Sequence, residues 1–366
     1  MRTVLSLLVG LLLLAGSACH LPARSAAAPG PAIIAYYAGD ATGFQQYPTG
    51  PLTHIIYSFL HLRGATFAFD KPQDEATVAA LVALKKQHPQ LKIMLSLGGW
   101  GGCETCSEVF STEQGRTTFA ASVKQILAAT HTDGIDLDWE YPAVAGPPGH
   151  RFAPEDRHNF TLLVQALRTA LGQKYEISFA AGGFPEYLEH AVEWQAVMPL
   201  VDRVNLMSYD LVNGYSTTTG HHTPLYSTPQ QVPSVDDGVR YLDSVGVAPG
   251  KIVIGAAFYA RVFKGVPNRA DGLYQAGTFK QAFDYKHFAD SLSAARGFVL
   301  HWDKVAQAPY AYSAQRQEFA TFDNARSIQQ KVRYVRNKHL GGIMFWELTG
   351  DQPQHGLLES LYQAAR

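Results

Sequence analysis

Cysteine is scarce: the chain has three in 366 residues, so a disulfide framework does not hold the fold as a whole. Charge is scarce as well, at 17% of residues, and 30 basic side chains nearly cancel 31 acidic ones. A net charge of −1 provides no basic face, which excludes nucleic acid as an expected partner. No apolar run reaches the roughly 20 residues that span a bilayer; the longest, Val4–Ala15, is about a dozen. Nor does a Gly-x-Gly-x-x-Gly follow the first strand-like run, which argues against a dinucleotide site. What is abundant is apolar and flat. Hydrophobic residues make up 46%, and 18 Tyr, 19 Phe and 5 Trp supply ample material for binding surfaces. Such a chain buries a large core, as one large domain or two ordinary ones, and is not disordered.

The N-terminus has the three-part plan of a secretory signal: Arg2, an apolar run and small residues up to Ala18. Cleavage after Ala18 would expose Cys19. Gly16-Ser17-Ala18-Cys19 resembles a bacterial lipoprotein signal, although such signals usually place Leu where Gly16 stands. Cys19 is therefore a lipidation candidate and a route to membrane attachment. Ordinary cleavage within Ala26-Ala27-Ala28 is the alternative, and either way the folded part is expected to be exported. Residues 19–31, rich in Ala, Pro and Gly, read as a flexible tether to a domain spanning 32–366.

From residue 32 onward, strand-like runs alternate with amphipathic segments. The runs are Ala32–Tyr37, His54–Phe59, Lys92–Leu97, Gly134–Trp139, Glu176–Ala180, Arg203–Ser208, Lys251–Phe258 and Gly341–Trp346. The helical patterns include Glu75–His88, Arg116–Thr130, Asp156–Leu171, Val235–Val245 and Ile328–Lys338. Ser111 with Gln114 forms a capping-box pattern, and Ser234 precedes two acids at a helix start. Strands followed by crossover helices imply a parallel sheet. Eight in succession predict an α/β fold of the (β/α)8 TIM-barrel type. The spacing breaks once, over roughly seventy residues between Phe258 and Ile328, too long for a structureless loop. Runs at Phe298–Trp302, Tyr310–Tyr312 and Glu318–Phe322 predict a small α+β insertion, at about 262–325, in the seventh βα connection. It would wall one side of a site at the C-terminal face.

The chemistry concentrates in Asp133-Gly-Ile-Asp136-Leu-Asp138-Trp-Glu140-Tyr-Pro142. Alternation along a strand puts Asp136, Asp138 and Glu140 on one face, about 6.6 Å apart in succession, with Ile135 and Leu137 on the other. A barrel interior is ordinarily aliphatic, and burying a lone ionised carboxylate costs several kcal/mol. A solvated acidic face does not suit a central strand. A divalent-metal site is the other alternative, but no helpful His stands nearby in sequence. Crowding drives carboxyl pKa values apart, so one acid keeps a proton near neutrality. Glu140, last on the strand and nearest the mouth, is the natural general acid for a glycosidic oxygen, with Asp138 able to share a proton.

These residues resemble the Asp133-x-x-Asp136-x-Asp138-x-Glu140 signature of glycoside hydrolase family 18 chitinases. Ser96-Leu-Gly98-Gly99-Trp100 is similar to that family's third-strand motif and Met207-Ser-Tyr209-Asp210 to its sixth. Tyr259-Ala-Arg261 and Trp346 match positions after the seventh strand and at the eighth. The resemblance implies a retaining, substrate-assisted hydrolysis of β-1,4-linked N-acetylglucosamine, in chitin or chito-oligosaccharides, without a cofactor. It implies that Glu140 is acid and then base. Asp138 would hold the acetamido N–H, Asp136 would share a proton beneath it, and Tyr209 would donate to the acetamido oxygen. Trp346 would floor the distorted sugar, with Trp100, Met207, Asp210, Tyr36, Phe59, Tyr141, Tyr259 and Arg261 around the same pocket. By the residues alone, Trp346, Tyr36, Phe59, Met207 and Tyr141 would pass as packing and Arg261 as a surface residue. Where many relatives carry a stacking Trp after Asp210, this chain has Leu211-Val-Asn-Gly-Tyr215, so Tyr215 is the candidate.

An endo-β-N-acetylglucosaminidase acting on N-glycans shares this fold and mechanism and stays as an alternative. A chitin-binding lectin is a third reading, which the intact Glu140 disfavours. Cys103-Glu-Thr-Cys106 follows the third strand; in an exported protein it reads as a local disulfide better than as half a zinc site. His221-His222 reads as a polar loop, with no partner at metal-ligand spacing, so no metal is expected. The enzyme is expected to be a monomer.

Overall fold

The computed structural model describes residues 30–366. The expected secretory leader, Cys19 and nearly all of the expected tether lie outside the described residues.

Eight parallel strands close into a barrel: β1 (Ala32–Tyr37), β2 (His54–Arg63), β3 (Lys92–Gly98), β4 (Gly134–Asp138), β5 (Glu176–Gly182), β6 (Arg203–Met207), β7 (Ile252–Ala257) and β8 (Gly342–Trp346). Neighbours follow chain order, and the ring closes where Ile34 of β1 pairs with Met344 of β8 while Ala35 pairs with Ile55 of β2. The strands read as continuous apolar runs because both faces are covered, the outer one by helices. In β7, Ile252-Val-Ile-Gly-Ala-Ala257 is buried throughout. The predicted (β/α)8 fold is the observed one.

Helix boundaries follow the caps. Asp156–Leu171 has the predicted bounds, and Ser234 accepts from the Asp237 N–H at 3.0 Å to start Val235–Ser244. Ile328 lies inside its helix, Ala325–Asn337, because Asn324 and Ser327 cap each other one turn earlier. The predicted Ser111 cap is off by one. A short helix, Cys106–Phe110, ends on Ser111, whose hydroxyl turns back to the Glu108 carbonyl at 2.7 Å. Thr112 then caps Glu113–Thr130 by accepting from the Gly115 N–H at 3.0 Å.

The insertion is a five-stranded antiparallel sheet in the order Thr278–Asp284, Tyr259–Lys264, Glu318–Thr321, Ala308–Ser313, Val299–Asp303. It starts at once after β7, so Tyr259 and Arg261 belong to it. The first two strands have weak local signals. Tyr259–Lys264 continues the apolar run of β7 without a turn residue, and Thr278–Asp284 is polar, largely exposed and bulged between Phe279 and Gln281. The chain re-enters the barrel through a buried ion pair. Asp323 meets Lys331 at 2.6 Å and accepts from the Ala257 N–H of β7 at 3.0 Å.

At the N-terminal end of the barrel the first residues of four strands form a polar plug. Glu176 of β5 meets His54 of β2 at 3.1 Å, Arg203 of β6 at 2.6 Å, and Lys92 of β3.

Candidate active site

The acid-bearing strand β4 is buried at every residue, and its two faces separate cleanly. Ile135 and Leu137 pack outward under the helices. Trp139 is also buried, against Phe110 and Phe160 with ring centroids 5.5 and 6.4 Å away. The other face turns three carboxylates inward, and their surroundings differ sharply.

Asp136 is fully buried and saturated with donors. The hydroxyls of Tyr36 and Ser96 donate to Oδ2 at 3.0 Å each, while Ser178 at 2.6 Å and the Asn205 amide at 3.0 Å donate to Oδ1. Burial raises its pKa and these bonds pull it back, leaving it above the ordinary value. Asp138 has no such relief: its Oδ1 is buried without a partner. Burial, then the charges of Glu140 and Asp136, push its carboxyl well above the usual range. Glu140 is pushed up to about 7, first by burial, with the charge of Asp210 adding to it and a hydrogen bond from Tyr141 opposing. This is the condition in which a carboxylic acid still holds a proton at neutral pH.

Above the acids opens a cavity of about 1010 Å³. Of the residues nominated from sequence, Asp138, Glu140, Tyr209, Trp346, Trp100, Met207, Asp210, Phe59, Tyr141, Tyr215, Tyr259 and Arg261 line it. Asp136 and Tyr36 do not; they lie beneath the floor and are hydrogen-bonded to each other. Phe184, Phe279, Phe283, Asp284 and Glu347 also line the cavity and escaped the sequence reading. Phe279, Phe283 and Asp284 sit on the insertion strand that has little local signal.

Two aromatic surfaces bracket the acids. Trp346 stacks on Phe59 with centroids 5.5 Å apart and planes 15° from parallel, and leans on Tyr36. On the other side Trp100 and Tyr215 stand 6.4 Å apart and strongly exposed, with Tyr141 against Trp100. The glycines of the β3 motif make room for this. Gly99 has φ +80°, and a Cβ there would lie 2.3 Å from the Phe59 ring. The peptide bonds Ser58–Phe59, Glu140–Tyr141 and Trp346–Glu347 are cis.

Asp210, at φ +57°, follows β6 into the cavity and receives two hydrogen bonds from Arg261, one from Nη2 at 2.5 Å. Burial opposes its ionisation, but the nearby His222 imidazole and the Arg261 guanidinium outweigh that and hold its carboxyl at about 2. The default reading of Arg261 as a surface residue is thus corrected: the insertion sheet carries it inward onto Asp210. His221-His222 lie in a loop, as read, but not an exposed one. Both are fully buried where the β6 loop passes under the insertion. His221 meets Asp303 at 3.1 Å and His222 lies 3.5 Å from Asp210. Among the described residues no group of three His, Cys, Asp or Glu could hold a metal ion. Cys103, in the turn after β3, and Cys106, at the start of the following short helix, are joined by a disulfide with Cα atoms 5.1 Å apart.

The family model for glycosyl hydrolases family 18 matches residues 32–351, which hold all eight barrel strands and the insertion. The chain belongs to glycoside hydrolase family 18. Similar members include chitinase A1 of Niallia circulans, 33% identical over 79% of this chain and 45% of that protein. Chitinase B of Serratia marcescens is 30% identical over 85% of this chain and 77% of its own length. The chain therefore spans less than half of one of these family 18 relatives and about three-quarters of the other. Among solved structures, a family 18 N-acetylglucosaminidase from Paenibacillus barengoltzii superposes with a TM-score of 0.84 at 37% identity, covering 91% of this chain and 99% of that one.

Proposed function

We propose that the protein hydrolyses β-1,4 bonds between N-acetylglucosamine units of chitin or chito-oligosaccharides, with retention, the substrate's own acetamido group acting as nucleophile. One observation carries this reading. Asp138 and Glu140 share a buried site where neither ionises easily, while the other carboxylates in the cavity already have partners. Asp210 is held by Arg261, Asp284 meets Lys286 at 3.0 Å, and Glu347 accepts from Thr349 and the Ala38 N–H. A second, free carboxylate nucleophile is what most retaining glycosidases require. This cavity offers an acid and an orienting acceptor.

In this mechanism Glu140 gives its proton to the glycosidic oxygen as the C1–O bond breaks. The acetamido carbonyl oxygen closes on C1 to form an oxazolinium ion. Asp138, whose Oδ1 has no protein partner, accepts the acetamido N–H and balances the growing positive charge. Tyr209 donates to the acetamido oxygen. Glu140, now ionised, takes a proton from the water that opens the ring from the same face. Trp346 floors the reacting sugar, and Trp100 with Tyr215 offers a platform to the departing part.

The likeness to an N-acetylglucosaminidase over 99% of that chain favours a second reading, release of single sugars from chain ends. Products from reduced chitohexaose, insoluble chitin and a high-mannose glycoprotein, run in parallel, separate the readings. Internal fragments from chitohexaose support a chitinase and monosaccharide alone supports end release. Cleavage of the glycoprotein only would move the function to N-glycans. A thiazoline analogue of the oxazolinium should inhibit competitively, and its failure to bind would remove substrate assistance. We also infer export, supported by the leader-like N-terminus and by a disulfide that needs an oxidising compartment. The mass of the mature N-terminus from a membrane fraction decides whether Cys19 carries lipid.

A further inference from the structure

His222 is a buried imidazole without a role in the mechanism above. Its ring is edge-on to Tyr259 at 5.2 Å, and Nδ1 lies 3.5 Å from Oδ1 of Asp210, the oxygen to which Arg261 Nε also donates. Neither ring nitrogen has a hydrogen-bond partner at standard geometry. The backbone ties the same two places together. The Leu211 N–H donates to the His222 carbonyl at 3.1 Å, and the Thr223 hydroxyl donates to the Ser208 carbonyl at 3.0 Å. Residues 222 and 223 therefore strap the segment that carries Tyr209 and Asp210. The strap is anchored in turn: the His222 N–H donates to Thr321 at 2.9 Å, and Thr223 accepts from Lys331 at 2.5 Å.

We infer that His222 is a positioning residue for Asp210: its neutral imidazole donates from Nδ1 to Oδ1, completing with Arg261 a clamp that keeps the carboxylate aimed into the cavity. The inference rests on the hydrolytic reading above only for its kinetic consequences. The groups that face the ring are Asp210 from the β6 loop, Tyr259 and Arg261 from the insertion's first strand, and Asp323, itself paired with Lys331. Burial holds the imidazole neutral, so it acts as a donor and not as a counter-charge. The 3.5 Å separation is long for a hydrogen bond, so a small movement of either side chain closes it. Asp210 is one of the groups that raises the Glu140 pKa, so an Asp210 that swings away leaves Glu140 more acidic. The clamp thereby helps to keep the general acid protonated.

The test pairs His222→Leu, which fills the space without a donor, with His222→Asn, whose amide can donate to the same oxygen. On a soluble chito-oligosaccharide, His222→Leu is expected to lower kcat about tenfold, within the hundredfold that a 1 Å misplacement can cost. It should also move the alkaline limb of kcat/KM to lower pH, while His222→Asn recovers both. A merely structural role would lower stability and leave the pH limb in place. An unchanged limb in a folded His222→Leu, or a His222→Asn as impaired as the Leu variant, overturns the proposal. A readout without turnover keeps it separate from the hydrolytic reading. In protein labelled with 15N-histidine, the signal missing from His222→Asn should belong to an Nδ1–H tautomer at neutral pH, and Asp210→Asn should shift it. An Nε2–H tautomer, or no response to Asp210→Asn, overturns the clamp even if the enzyme is fully active. If the wild type cleaves no chito-oligosaccharide, the functional reading falls and the tautomer still decides the clamp.

Discussion

At the N-terminal end of the barrel, Glu176 is gripped by Arg203, Lys92 and His54; at the C-terminal end, Asp138 and Glu140 are buried beside each other without a cation in contact. Burial raises the pKa of Glu176, but its hydrogen bonds and the neighbouring positive charge outweigh that and hold it well below the usual range. At the mouth no cation opposes the same burial, and both acids move up. One fold thus uses carboxylates in two ways. A satisfied acid at the bottom locks strands together, and an unsatisfied pair at the top retains a proton that a substrate can take. The barrel's separation of a stabilising face from a reactive face has a direct electrostatic form here.

The largest expected effect breaks the upper site. Glu140→Gln should lower kcat on chito-oligosaccharides by about a thousandfold while binding persists, in the range that general acid–base catalysis contributes. Full activity in that variant would sink the mechanism. The same substitution should stabilise the fold, and the sign follows from linkage. A carboxyl raised in the folded state to about 7 binds its proton more tightly there than in the unfolded chain. Stability is therefore lost as pH rises from about 4.3 towards the folded value, and the neutral amide escapes that loss. The gain in melting temperature should be larger at pH 8 than at pH 4.5; an equal gain at both would contradict the unpaired-acid picture.

Asp138→Asn should cost about a hundredfold in kcat, comparable to removing one group that stabilises developing charge. A small activity loss accompanied by a large rise in KM would mean that Asp138 binds the ground state and not the oxazolinium. At the other end, Glu176→Gln should lower stability by about 2 kcal/mol, the scale of a hydrogen bond to a charged group, and leave kcat unchanged. Its pH signature is opposite to that of Glu140. A depressed carboxyl adds stability above its unfolded pKa of about 4.3 and loses it as pH falls further. Denaturant titrations of wild type and variant should therefore converge in acid, and parallel curves would remove Glu176 from that account. The smallest change is expected from Tyr215→Ala. It should raise KM about fivefold for longer oligosaccharides, the loss of one exposed aromatic contact worth about 1 kcal/mol. An equal effect on the shortest cleavable substrate would place Tyr215 elsewhere along the chain.

Much of this was legible in the sequence because it is written in short periods. The two-residue alternation of Asp136, Asp138 and Glu140, the aliphatic runs of the eight strands and the Asp156–Leu171 pattern are local signals that any window of the chain displays. So are the motifs around Gly98-Gly99, Tyr209-Asp210 and Trp346, which carried the family resemblance. The boundaries of the insertion were less legible, because Tyr259–Lys264 is apolar without a break from β7 and Thr278–Asp284 is polar enough to read as loop.

What only the tertiary structure decided is which charges are relieved and which are not. Asp136 is saturated by Tyr36, Ser96, Ser178 and Asn205, from four other strands and between 40 and 100 residues away. Asp138, two residues along, has none of these donors. Arg261 reads as a surface side chain until the insertion folds back and delivers it to Asp210, 51 residues earlier. His221-His222 reads as a polar loop until the insertion covers it. The strand period sets the direction in which a carboxylate points. Its proton affinity depends on the desolvation and donors that closure of the barrel brings from distant parts of the chain, and no local pattern records them.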